Sequence, residues 1–388
     1  MRETRIASNP VTHIGWGAIK KLQFEIEQFN PARILIVADP VLQSLGLVDK
    51  IIGTLQNNEL QPDIYTDIIP EPTLETAEKI VDYTRKGNYS LLVGIGGGSA
   101  LDLSKLAAVF AKNHGSITEY LNLTATKTFQ HKGIPKILIP TTSGTGAEVT
   151  NIAVLALEKT KDVIAHDYLI ADIAIVDPAL TLTVPAAVTA ATGADALTHA
   201  IEAFISVNAN AYSDGLALQA IRLIGGALET AVSNGNDQKA RTDMAFGSYL
   251  AGLAFFNAGV GAVHALAYPL GGQFHIAHGA SNAVLLPYVL NFIKDSCSPK
   301  LKIILETLRP GSAALTEQEA ANECVVVLGQ LVQNIGIPGT LGDFGIPETA
   351  ASALAADGIL QKRLLARCPM ILNESDILKI YESAFDGY

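Results

Sequence analysis

Residues 90–102 read SLLVGIGGGSALD, and the fold class turns on this stretch. Ser90–Ile95 is a short apolar run bounded by glycine, the pattern of a buried strand. Gly96, Gly97, Gly98 and Ser99 follow directly and open a helix-length segment, Ser99–Lys112. Glycines at such a turn let the backbone approach a phosphate, and the helix amino terminus supplies unpaired N–H donors. Working outward, Arg33–Asp39, Lys136–Pro140 and Ile173–Asp177 read as further buried strands, with a helical pattern over Thr73–Lys86 between them. This alternation predicts parallel strands joined by crossover helices, an α/β dinucleotide-binding domain. Beyond Pro178 strand-like runs stop, and Gly193–Val207, Ser213–Thr230 and Glu317–Gly336 read as helices. The expected organisation is an α/β domain over residues 1–182 and an all-α domain over 183–388.

Composition narrows the function classes. The 388 residues are 49% hydrophobic and 17% charged, which excludes a disordered chain. Lys+Arg is 27 against Asp+Glu 38, a net charge of -11 with no basic stripe, so no nucleic-acid partner is expected. Three scattered cysteines without a CxxC pair fit a reducing compartment, and the first residues lack the apolar core of a secretion signal. A cytoplasmic location is the expectation. Tyr249–Gly272 is apolar enough to span a bilayer, but it holds Asn257 and His264 and has no flanking basic anchors. It reads as one helix buried in a protein core, interrupted near its end by Pro269, with no membrane partner.

The glycine loop departs from the strict dinucleotide fingerprint, because Ser99 stands where the last glycine belongs and no acidic residue follows about 20 positions on. Asp39, at the end of an earlier strand, offers a substitute: it could accept from an adenosine ribose hydroxyl and repel a 2′-phosphate, favouring NAD over NADP. A glycine-rich turn without a ligand is the alternative. A second polar loop, TTSGTGAE at 141–148, also follows a strand, where open α/β sheets bind ligands.

Four of the eight histidines lie between positions 199 and 278. Asp195 and His199 are spaced i,i+4, on one face of an apolar helix where an unpaired carboxylate would be costly. His264 sits in the apolar run, and His278 lies just beyond it. Three imidazoles with one carboxylate suit Fe²⁺ or Zn²⁺. A Lewis-acid metal beside a nicotinamide points to hydride transfer at an alcohol or carbonyl carbon.

These residues resemble the iron-containing (group III) alcohol dehydrogenases along nearly the whole chain. The likeness rests on GGGSALD at 96–102, PTTSGTGAEV at 140–149, TGADALTHAIE at 192–202, and VHALAYPLG at 263–271 with His278 and Gly279. It implies a dehydroquinate synthase-like architecture with the active site in the cleft between the domains. It also implies metal ligation by Asp195, His199, His264 and His278, with Gly97, Gly98 and Ser99 at the pyrophosphate. Asp102 would brace the nicotinamide end, Thr141, Thr142 and Thr145 would contact the cofactor, and Lys161 would reach the nicotinamide ribose. Asp39 matches the acidic position of NAD-preferring members, and a homodimer or larger homo-oligomer is implied.

One position departs from the family pattern. Many members carry a second histidine four residues after the third ligand, and here Tyr268 takes its place. A phenol with a pKa near ~10 is a poor base at neutral pH. Tyr268 or His275 is therefore expected to line the substrate pocket, with His275 as a candidate proton shuttle. Sugar-phosphate cyclases and polyol dehydrogenases share the two-domain plan, but they pair their carboxylate with two histidines. A non-catalytic binding protein would have lost the ligand spacing or the glycine cradle. The cyclases also need basic residues for a substrate phosphate, and 249–293 contains no Lys or Arg; Phe255, Phe256 and Phe274 suggest an apolar pocket for small uncharged alcohols or aldehydes.

Overall fold

The computed structural model describes residues 3–55, 61–158 and 160–387. Eight strands form among the described residues: β1 (Val11–Ile14), β2 (Ile34–Ala38), β3 (Asp63–Tyr65), β4 (Leu91–Gly96), β5 (Lys136–Pro140), β6 (Ile152–Ala156), β7 (Lys161–Ala165) and β8 (Ile173–Val176). Six make one all-parallel sheet in the order β1-β8-β5-β4-β2-β3. Its central members β2, β4, β5 and β8 are buried at every residue. A parallel sheet is covered by crossover helices on both faces, so such strands read as unbroken apolar runs. Separate apolar clusters fill the two faces.

The chain leaves β2 toward β3 and then crosses back to place β4 on β2's other side. That reversal opens a crevice at the carboxyl ends of β2 and β4, where doubly wound sheets hold ligands. The register pairs Ala38 with Ile95, so Asp39 and Gly96 emerge side by side. A Cβ on Gly96 would stand 3.4 Å from the Asp39 Cβ and only 2.6 Å from that of Ala100. Only glycine lets the helix Gly98–Phe110 start this close to its strand.

β6 and β7 form a separate antiparallel hairpin, pairing Ile152 with Ala165 through Ala156 with Lys161. The rest is helical from Ala186 onward, around one large apolar cluster. Tyr249–Gly272 is not one helix. It divides between Gln238–Ala258 and Ala262–Phe274, which meet at 106°. Glycines at 259 and 261 make the bend, whereas Pro269 lies inside the second helix without ending it. The helix Ala211–Ser233 is long and apolar enough to cross a membrane, and it packs against Ala186–Ile205 and Gln238–Ala258.

Candidate active site

Three helices bring the four expected ligands together. Asp195 and His199 lie one turn apart on Ala186–Ile205, His264 is in the first turn of Ala262–Phe274, and His278 opens His278–Ile293. Gly279 permits the approach, since a Cβ there would stand 2.1 Å from the Ala191 carbonyl oxygen. The Nε2 atoms of His199, His264 and His278 lie 3.8, 3.6 and 3.8 Å from Asp195 Oδ1. One ligand atom each of Asp195, His199 and His264 falls within a 4.8 Å span. The first three residues are buried, while the His278 side chain is 27% exposed and faces the cleft.

The electrostatics suit a cation. Burial alone would raise the Asp195 carboxyl, yet the surrounding imidazoles hold it far below the usual carboxylate range. Burial lowers His199 to about 4 and His278 well below its ordinary value, so both are neutral donors of a lone pair. His264 differs: burial pulls it down, but the Asp195 carboxylate nearby and the hydrogen bond to Glu202 raise it to about 9. Its proton stands in for positive charge that the carboxylates attract. The buried Nδ1 atoms of His199 and His278 have no hydrogen-bond partner among the described residues. One carboxylate and three convergent imidazoles in an apolar wall fit a divalent iron or zinc ion.

Two supporting residues carry no role in the sequence reading. Glu202 Oε2 lies 2.6 Å from His264 Nδ1, and its Oε1 accepts the Val263 N–H at 2.7 Å. Asn282 Nδ2 donates to Asp195 Oδ1 at 2.7 Å and lies 3.1 Å from His264 Nε2. Helical spacing was the available signal. Glu202 is seven residues from Asp195, and Asn282 four from His278, each on the same face as its ligand.

A cavity of about 330 Å³ runs from this cluster to the glycine loop, lined at that end by Gly98, Ser99, Asp102, Thr145 and Lys161. Asp39, Gly96, Gly97, Thr141 and Thr142 lie just outside it along the same crevice. Thr141 N–H donates to the Gly96 carbonyl at 3.0 Å, and the Gly97 backbone faces Thr142. Asp39 Oδ1 accepts from Val41 N–H, capping a short helix, and the residue remains half-exposed. Asp102 pairs with the fully buried Lys105 at 3.0 Å and accepts the Val154 N–H, tying the glycine-loop helix to the hairpin. Lys161 Nζ lies 2.8 Å from Glu71 Oε1, and the Glu71 N–H donates to Ser99 Oγ.

Tyr268 lines the cavity with its ring centroid 5.9 Å from that of His278, and burial raises its phenol further above the ordinary value. His275 does not join it. The chain turns there through a left-handed backbone (φ 56°) that caps the preceding helix, and the residue is exposed and outside the cavity lining. The proton-shuttle expectation for His275 is corrected on that ground. The wall also contains Arg363 and Arg367 from the carboxy-terminal segment, so the absence of Lys and Arg from 249–293 does not make the cavity uncharged.

The family model for iron-containing alcohol dehydrogenase matches residues 9–178, and that for the carboxy-terminal part of the Fe-containing alcohol dehydrogenase family matches 189–385. Long-chain-alcohol dehydrogenase 1 of Geobacillus thermodenitrificans (strain NG80-2) is 59% identical over 387 residues, spanning 100% of this chain and 98% of the relative. A crystal structure of 1,3-propanediol oxidoreductase superposes with a TM-score of 0.94 at 34% identity, covering 99% of this chain and all of that one. The sulfoacetaldehyde reductase of Bifidobacterium kashiwanohense, solved with NAD⁺, gives 0.88 at 27% identity over 98% of each chain. With both halves of the chain matched and the buried Asp/His cluster at their cleft, the protein belongs to the iron-containing alcohol dehydrogenase family, oxidoreductases that act on alcohols with a nicotinamide cofactor and iron.

Proposed function

We propose that the protein interconverts a small alcohol and its aldehyde by reversible hydride transfer to and from NAD, in the cleft between the domains meeting at residues 182 and 183. The observation that carries this reading is the convergence of three imidazole Nε2 atoms on Asp195 Oδ1 at one end of a cavity whose other end is the glycine loop. Iron held by Asp195, His199, His264 and His278 supplies Lewis acidity toward a substrate oxygen. NAD supplies the hydride acceptor.

The chain's own residues do the rest. Asp195 contributes the negative charge of the ligand set, and neutral His199 and His278 contribute lone pairs. The backbone N–H groups around Gly97, Gly98 and Ser99 would hold the pyrophosphate, with Thr141, Thr142 and Thr145 beside it and Asp102 bracing the nicotinamide end. Lys161, held by Glu71, would reach the nicotinamide ribose, and Asp39 would accept from the adenosine ribose and select against NADP. Phe255 and Phe256 keep water from the reacting carbon. Tyr268 stays protonated at neutral pH and donates a hydrogen bond to the substrate side of the cavity.

A homo-oligomer is supported by β1, an edge strand of the sheet whose first residue, Val11, is 40% exposed. The three buried free thiols support a reducing cytoplasm. Elemental analysis of the purified protein, combined with an aldehyde panel assayed against NADH and NADPH, tests the reading. Stoichiometric iron or zinc and NADH-preferring turnover are expected. Absence of bound metal together with absence of NAD(H)-dependent turnover of every alcohol would overturn it.

A further inference from the structure

Two arginines enter the mostly apolar wall of the cavity. Arg363 and Arg367 line the same cavity as Asp195, His264 and Tyr268. They are spaced four apart near the short helix Lys362–Leu365, and Arg367 Nη1 donates to the Arg363 carbonyl at 3.3 Å. Arg367 lies flat against the bend between the helices bearing Phe255 and His264. A Cβ on Gly259 would stand 2.1 Å from Arg367 Cδ and 2.2 Å from Nε. The bend is therefore shaped to seat this side chain.

Neither guanidinium has a carboxylate within ion-pair distance among the described residues. Asp162 senses the Arg363 charge, but its carboxylate accepts the backbone N–H groups of Leu123 and Val163. The nearby phenol of Tyr268 is also within the field of Arg363. Two partly desolvated, unpaired cations beside phenylalanines and Val260 are costly unless an anion completes them. Guanidinium pairs bind carboxylates through parallel N–H donors.

We propose that Arg363 and Arg367 form a carboxylate subsite, so that the preferred substrates are hydroxy- and oxo-acids whose anionic terminus sits against these arginines. The reacting carbon then lies toward Asp195 and His264. This rests on the reading of the cavity as an alcohol dehydrogenase site and adds the chemical class of its substrate.

The test uses metal-loaded full-length protein with NADH and the matched probes 4-oxobutanoate and butanal. A kcat/KM ratio of about tenfold or more in favour of the carboxylate is expected for the wild type, as for gain of one charge-assisted pair. Arg363→Gln and Arg367→Lys should each collapse that ratio toward unity. Calorimetric binding of 4-hydroxybutanoate to the NADH-loaded protein, a pair that cannot exchange hydride, should weaken in parallel, a readout independent of turnover. Preference for butanal, or a ratio unchanged in Arg363→Gln, overturns the subsite and leaves the dehydrogenase assignment standing. No turnover of either aldehyde overturns both.

Discussion

Glu202 and His264 are joined by a 2.6 Å contact between Oε2 and Nδ1, buried at the junction of two helices. The second carboxylate oxygen holds the Val263 N–H, so Glu202 fixes both the imidazole and the start of the helix that carries it. A carboxylate behind a metal-binding histidine sets its tautomer, orients the ring and raises its basicity. Glu202→Gln keeps the size and an acceptor for Val263 but removes the charge. Metal affinity should fall on the order of 10–100-fold. Chelator competition against elemental content measures it, and unchanged affinity would reduce Glu202 to a helix-packing residue.

The four ligands should not be equivalent. Asp195 is buried and is the atom on which the three imidazoles converge, whereas His278 enters from the cleft side with its side chain 27% exposed. Asp195→Ala removes the carboxylate on which the imidazoles converge and leaves His264 its contacts with Glu202 and Asn282. The variant should purify without metal and without activity. His278→Ala should retain bound metal in excess iron or zinc while losing most of its turnover. Metal content per chain distinguishes the two, and equal loss in both variants would show that the ligands act as one unit.

Much of this site was legible because its signals are local. Asp195 and His199 share a helix face, and the glycine loop directly follows a fully buried strand. The four central strands were readable for the same reason. β1, β3 and the hairpin were not: β3 has three residues, β6 alternates between buried and half-buried, and β7 opens with Lys161 and Asp162. Those two charged residues are buried by tertiary packing that no periodicity announces. Arg363 and Arg367 reach the cavity from a segment about 100 residues beyond His264, a distance at which spacing carries no information. His275 was misplaced because proximity to His278 in sequence says nothing about a left-handed turn between them.

Asp39 offers a separable test of cofactor choice. Its carboxylate caps the helix Pro40–Ser44 through Val41 N–H and stands beside Gly96 at the crevice. Asp39→Asn preserves the cap while removing the charge that would repel a 2′-phosphate. The ratio of kcat/KM for NADPH to that for NADH should rise about tenfold, equivalent to ~1.4 kcal/mol. Parallel initial-rate measurements with both cofactors decide it, and wild-type preference for NADPH would remove Asp39 from the cofactor site.

Glu148 predicts a pH dependence of stability away from the ligands. It ends the TTSGTGAE loop fully buried, and burial raises its carboxyl from 4.5 to about 7 despite a hydrogen bond from its own backbone. Between those values the folded chain holds a proton that the unfolded chain has released. The resulting stabilisation is therefore complete below pH 4.5 and lost as pH rises through about 7. Glu148→Gln cannot titrate, so its stability relative to wild type should grow across this window by on the order of 3 kcal/mol. Urea unfolding of both proteins at intervals from pH 4 to 8 isolates the effect, because titration of the metal-binding histidines is common to both. A constant difference across the window would mean that Glu148 ionises in the folded protein at its ordinary pKa.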